Sequence, residues 1–393
     1  MRIWARLKPK LTIIVSGMIA ADPWQGGATW AVLQYVLGLR RLGHEVFFIE
    51  PVAVKALRPA GAALADSENA RYFKVVWDAY APCDPNGCAT LLRTDTRETF
   101  GLSYDALQRL AARTDLLLNI SGMLTDEALT AKIPVRVYLD LDPAFNQLWH
   151  AVQKIDMRFA GHTHHVTIGQ NIGDADCPVP ACGLHWLKTF QPVVLEHWPV
   201  AREIKHDALT TIANWRGYGS VDFNGVNYGQ KVHSLRQFMS LPTLTDEKFS
   251  LALAVHPDET RDLAALKQNR WQLLDPALVA NTPSRYAEFI RGSKAEFGIA
   301  KSGYVHSRCG WFSDRSVCYL ASGRPVIAQD CGFAKLLPTG EGLFVFNTND
   351  DVLRAIGFMN SDYARHAKRA REIAAEFFDS DKVLTRLVKL VGL

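Results

Sequence analysis

The chain has no apolar run long enough to cross a bilayer, no block of Lys or Arg, and few cysteines. The first absence argues against a membrane-spanning protein. The second leaves a formal net charge of +4 in 393 residues, so nothing in the totals points to a nucleic-acid partner, while small anionic ligands stay compatible. Seven cysteines, an odd number in a long chain, suit a reducing cytoplasm better than a disulfide framework. Cys83/Cys88 and Cys177/Cys182 share a four-residue gap. That is wider than the two-residue zinc knuckle, and no metal is expected there.

What is present is an ordinary soluble composition, 48% hydrophobic and 21% charged, in a length that suits two cores. The basic head Met1 to Lys10 and the apolar run Leu11 to Ala21 imitate a secretory signal. The run is also the right length for a buried first strand, and a Gly-containing loop and a helix follow it directly, so it reads as part of the fold. Arg2, Arg6, Lys8 and Lys10 with Trp4 are the one hint of a membrane surface. A solvated tail accounts for them, and membrane association is not expected.

The first half alternates apolar strands with helical patterns, the signature of a parallel sheet with crossover helices. Strands are expected over Leu11 to Ile19, Glu45 to Ile49, Asp115 to Ile120 and Val135 to Leu139, with a helix from Thr29 to Leu42 apolar on nearly every side. Irregular chain between Leu184 and Pro199 marks a boundary, which predicts domains over 1–200 and 201–393. A second series follows with Leu209 to Ala213, Phe249 to Val255, Glu296 to Ala300 and Pro325 to Ala328. Helices over Asp362 to Phe378 and Lys382 to Val391 close the chain, the last one expected to pack back on the first domain. The fold class is therefore α/β, two doubly wound Rossmann-like domains facing across a cleft.

Several constellations fit chemistry in such a cleft. Arg308 to Asp330 reads as loop, helix, stop and strand: Ser313 is an N-cap, the helix runs from Asp314 to Ser322, Gly323 ends it, and Arg315 adds positive charge to the first turn. Such a run can hold a diphosphate. Gly26 and Gly27 precede the first helix, where a backbone without Cβ can approach a ligand. Asp22 in the same loop, and Asp140 and Asp142 in Tyr138-Leu-Asp-Leu-Asp-Pro143, are candidate carboxylate bases or acceptor ligands, against the bland reading of turn and loop residues. His162 and His164 in Gly161-His-Thr-His-His165 are candidate acceptor contacts; no acidic or Cys partner sits at a metal-ligand spacing.

The loop Ala21-Asp-Pro-Trp-Gln-Gly-Gly-Ala-Thr29, its helix, Leu42-Gly-His-Glu-Val-Phe47 and Ala321-Ser-Gly-Arg-Pro-Val-Ile327 together resemble the two ends of a GT-B glycosyltransferase. The likeness covers nearly the whole chain in order and layout. It implies that a sugar is moved from a nucleoside-diphosphate sugar to an unidentified acceptor, without a metal or other cofactor. It further implies donor contacts from Gly26, Gly27, Arg216, Lys231, Ser313, Asp314 and Arg315, a nucleobase border at Leu273 to Val279, and Asp22 as base. In the helix before Ser322-Gly-Arg-Pro-Val326, retaining members often carry a Glu where this chain has Cys318. That departure favours inversion. A sugar-nucleotide epimerase of the same layout and a non-catalytic sugar-nucleotide binder are the alternatives.

Overall fold

The computed structural model describes residues 10–82 and 87–393. Cys83 therefore lies outside the described residues, as does most of the basic N-terminal arm. The first sheet contains β1 (Thr12–Ser16), β2 (Glu45–Val52), β3 (Ala89–Arg93), β4 (Thr99–Phe100), β5 (Leu116–Ile120), β6 (Val135–Asp140), β7 (His164–Thr167) and β8 (Trp186–Lys188). Their order is β4-β3-β2-β1-β5-β6-β7-β8, parallel except for the β3–β4 pair. The second sheet is built from β9 (His206–Asn214), β12 (Phe249–Ala254), β13 (Gln272–Leu274), β14 (Ser293–Gly298), β15 (Val326–Gln329) and β16 (Leu343–Phe346), with a hairpin of β10 (Val221–Phe223) and β11 (Val226–Tyr228) between β9 and β12. Its order is β13-β12-β9-β14-β15-β16, all parallel. In each sheet the winding reverses beside the first strand, between β1 and β5 and between β9 and β14. Loops leaving β1 and β9 consequently part there, and ligands of open α/β sheets bind at such points.

The long apolar strands fall where the sequence pattern puts them. Missed are β3, β4, β7, β8, β10, β11, β13 and β16, which run two to five residues each and show too little alternation to stand out; pairing with a neighbouring strand makes them. β1 stops at Ser16 rather than Ile19, because the N–H groups of Ile19, Ala20 and Ala21 turn to the carboxylate of Glu50 on β2.

The first helix covers Gly26–Arg41, so both glycines lie inside its first turn rather than ahead of it. Tight packing explains why. A Cβ on Gly26 would stand 2.4 Å from the Thr282 carbonyl oxygen, and one on Gly27 2.8 Å from the Tyr286 ring. The chain's last helix, Ser380–Leu390, returns to lie on this first one: a Cβ on Gly38 would come within 2.5 Å of Leu384, and Arg41 pairs with Asp381 at 3.0 Å. The helix before it is Tyr363–Ile373, continued by a wider π turn over Ala374–Phe378. Cys88 is disulfide-bonded, a departure from the expectation of a fully reduced chain, while Cys177, Cys182, Cys309, Cys318 and Cys331 are free thiols. Among the described residues no helix is long and apolar enough to cross a membrane, and no group of three or more His, Cys, Asp or Glu side chains could hold a metal.

Candidate active site

A cleft of 740 Å³ opens between the sheets. Its first wall is the loop Pro23 to Gln25 with Gly27, Ala28 and Arg58; its second is the C-terminal end of β9, Ala254, the segment around Pro276 to Asn281, and Asp314 with Arg315. Both strand ends and a helix N-terminus therefore meet one space. Ser313 is the N-cap of the Asp314–Ala321 helix, but its hydroxyl accepts nothing from the first turn. Those N–H groups are left without a side-chain cap.

Arg315 does not extend into solvent. Its Nε donates to Glu296 Oε1 at 2.6 Å and its Nη1 to the Ile212 carbonyl at 2.9 Å. Glu296, on β14, is fully buried, and its Oε2 has no partner. Burial alone would lower the guanidinium, but the carboxylate beside it outweighs that and holds it above its ordinary value. Lys231 is buried as well, donating to the Ile299 carbonyl at 2.7 Å; burial first, then Arg315 and Lys301, push it well below the usual lysine range. Asp314 is raised by burial, against the pull of Arg315. Arg315 and Lys231 thus stand near the helix start, an arrangement that favours an incoming anion. Arg216, by contrast, points away: it is half-exposed, pairs with Glu259, and does not line the cleft.

The loop in the first wall hangs on Glu50. Its Oε1 accepts from Ile19 at 3.0 Å, Ala20 at 2.8 Å and Ala21 at 2.6 Å, and its Oε2 from Ala20 at 3.0 Å. Asn69 holds the same loop from the other side, donating to the Ala20 carbonyl at 2.7 Å and accepting from the Arg58 N–H at 2.8 Å. Arg58 then pairs with Asp22 at 2.7 Å. Asp22 adjoins the cleft through Pro23 and Arg58. Glu50 was not singled out in the sequence, although a charge inside the apolar run Val46 to Val52 was a usable signal; Glu296 in β14 was a second one.

Asp140 and Asp142 have other work. Asp140 is fully buried at the end of β6 and accepts from Asn146 at 2.6 Å, Gln147 at 2.8 Å, Thr167 at 2.8 Å and the Asp142 N–H at 3.0 Å. Burial pushes it up to about 6 against those bonds. Asp142 reaches across to the second domain, where its carboxylate accepts from Tyr218 at 2.5 Å and from the Tyr304 hydroxyl, with Lys301 Nζ at 3.4 Å. Lys301 lies 4.0 Å from the Tyr218 ring centroid and 5.0 Å from that of Phe145. Replacing Asp142 by Ala strands these donors at the domain junction and is expected to lower stability by about 1–3 kcal/mol. Thermal melting with small-angle scattering checks it; an unchanged melting temperature and radius of gyration would show that the junction does not hold the domains.

His162 and His164 stay within the first domain. His162 is within 3.0 Å of Asn119 Nδ2 and stands beside Tyr138 and His165, and burial holds it below the usual range. His164 begins β7, at the end of the strand away from Thr167, with its Nδ1 2.9 Å from the Thr163 hydroxyl. Neither lines the cleft.

No family model matches the sequence, and no curated protein matches it. Solved structures do. An alpha-glucosyltransferase in complex with UDP and a 13-mer DNA is similar over 98% of this chain and 100% of its own, with 11% identity and a TM-score of 0.60. HepE of Anabaena in complex with UDP-glucose is similar over 96% and 98%, with 12% identity and a TM-score of 0.57. The chain has the GT-B fold. The pneumococcal O-GlcNAc transferase GtfA, in complex with UDP and GlcNAc, aligns over 98% and 99% at 9% identity and a TM-score of 0.52. At such identities it is the two facing sheets that are shared, and the GT-B layout then locates the cleft described above between them.

Proposed function

We propose that the protein is a glycosyltransferase that takes a sugar from a nucleoside-diphosphate donor and passes it to an acceptor bound by the first domain. The observation that carries the reading is the cleft itself: strand ends on one side, and at its floor an uncapped helix start with Arg315 and a buried Lys231 behind it. UDP or UDP-sugar in the three neighbours supports a nucleotide in this chain's cleft. The nucleoside would lie along the ends of β9 and β12, near Pro276 and Ala277, and the diphosphate at Asp314 and Arg315. Charge that builds on the departing diphosphate is then met by N–H dipoles and the Arg315 guanidinium already in place.

Asp22 is the proposed base. Its Oδ1 is held by Arg58, so the substrate must take the proton path through Oδ2 or draw Arg58 away. One neighbour was solved with DNA, but the even charge balance of this chain supports a smaller acceptor. A thermal-shift panel of UDP, GDP, dTDP and their sugars tests the reading. At a hundredfold excess over Kd one ligand is expected to stabilise the native form by about 3 kcal/mol. No shift with any of them would reject the nucleotide site, and conversion of a donor to its epimer without acceptor would reject transfer. Asp22→Ala is expected to bind donor normally and lose turnover.

A further inference from the structure

Trp24 holds a backbone conformation that a bulky residue rarely takes. Its φ is +67°, and it is the one aromatic among the described non-glycine residues with positive φ. A side chain of that size is crowded against its own backbone there, so its surroundings must hold it, and strain of this kind collects where ligands are bound. What holds it belongs to the first domain. The indole Nε1 donates to Glu68, and the ring packs against that of buried Tyr72 with centroids 4.8 Å apart. The rest of the ring is uncovered. Trp24 is 36% exposed and lines the cleft together with Gln25 and Arg58, and Asp22 is paired to Arg58 at 2.7 Å. The Gln25 side chain is not spent on capping the helix that it precedes.

We propose that Trp24 is the platform on which the acceptor lies, and that the acceptor is itself a sugar. The inference rests on the glycosyltransferase reading above, with Asp22 as base. A pyranose presents a face of C–H groups with partial positive charge, which suits the negative face of an indole, while its hydroxyls point outward from the rim of the ring. To the same wall Gln25, Arg58 and Asp22 contribute an amide, a guanidinium and a carboxylate. Donors and acceptors for a rim of hydroxyls therefore accompany an apolar plate. A serine side chain or a simple alcohol has no flat face to match that plate. The loop that carries Trp24 also carries Asp22, two residues before it, so a ring resting on the indole is held to the base and not to the diphosphate end of the cleft at Asp314 and Arg315.

The test uses the sugar nucleotide of the UDP, GDP and dTDP panel that the wild-type chain binds. Methyl glucoside, methyl galactoside and methyl N-acetylglucosaminide serve as acceptors, with glycerol and a serine peptide as alcohols that lack a ring. Transfer to at least one methyl glycoside is expected. Trp24→Leu should raise the KM of that glycoside by about threefold to tenfold, with kcat and the donor Kd unchanged. Trp24→Phe, which keeps a ring but loses the bond to Glu68, should fall between; where Trp24→Leu does not fold, it carries the same comparison. Saturation-transfer NMR reads the contact directly: the ring C–H protons of the glycoside should be saturated by the wild-type chain and not by the Leu variant. No transfer to any of the glycosides, a KM that both variants leave unchanged, or a loss of donor affinity as large as the loss for the acceptor would overturn the proposal. Each of these, with the donor bound by wild type, leaves the nucleotide-sugar reading standing. A wild-type chain that binds none of the sugar nucleotides sinks both.

Discussion

Arg315→Met is expected to cost about 3–5 kcal/mol in urea unfolding, because it leaves a buried carboxylate without its counter-charge. Glu296 is fully buried, one of its oxygens already lacks a partner, and the other is satisfied by Arg315 Nε at 2.6 Å. The double variant Arg315→Met/Glu296→Gln separates two roles. Replacing both ends of a buried pair by neutral groups is often close to neutral for stability, so most of the loss should be recovered. Nucleotide affinity should not be recovered, since the positive charge at the helix start remains absent. If the single variant unfolds within about 0.5 kcal/mol of wild type, the pair is not structural; if the double variant binds UDP, GDP or dTDP as wild type does, Arg315 is not part of the anion site.

That pair also shows what a sequence can and cannot disclose. Arg315 was visible as a cation in the first turn of a helix, because capping and the Gly323 stop are local signals written within ten residues. Its partner was not, because Glu296 lies on another strand and sequence spacing says nothing about which strands become neighbours. The same holds for Asp142: its position just past the end of β6 is legible in the sequence, which marks its carboxylate as a candidate base or acceptor ligand. What assigns it to Tyr218, Tyr304 and Lys301 is the way the domains close, with partners 76 to 162 residues away. The His cluster misled for a related reason. Polar density in an apolar region looks like a binding site, but β7 pairs with β6, which draws His165 and His162 against Tyr138 and Trp186 within one domain. The sequence marks Gly26 and Gly27 as a place where a donor could approach the backbone; what approaches them in the structure is the chain's own Ala280 to Tyr286 segment.

Glu50→Leu should be nearly as costly, by about 3 kcal/mol or more, since three N–H groups in a dry loop lose their acceptor at once and each unsatisfied donor costs about 1–3 kcal/mol. The pH dependence tells the charge apart from the shape. Burial pushes Glu50 up to about 7 from its usual 4.5, and the three backbone bonds pull in the opposite direction without cancelling it. The native state therefore holds a proton that the unfolded chain has already released between roughly pH 4.5 and 7. Stability from this group is fully present below that window and is lost as pH rises through it, by about 3 kcal/mol in total. Glu50→Gln cannot titrate, so its stability should lack this component while still losing part of the loop's hydrogen bonding, because its amide N–H₂ faces N–H groups. Hydrogen exchange at Ile19, Ala20 and Ala21 reports the loop directly, and faster exchange there in both variants is the expected result. Protection unchanged from wild type would mean that the first wall of the cleft is held by Asn69 and Arg58 alone. Because Asp22 rides on that loop, the same measurement decides whether a carboxylate buried on β2 sets the geometry at which the first domain meets its ligand.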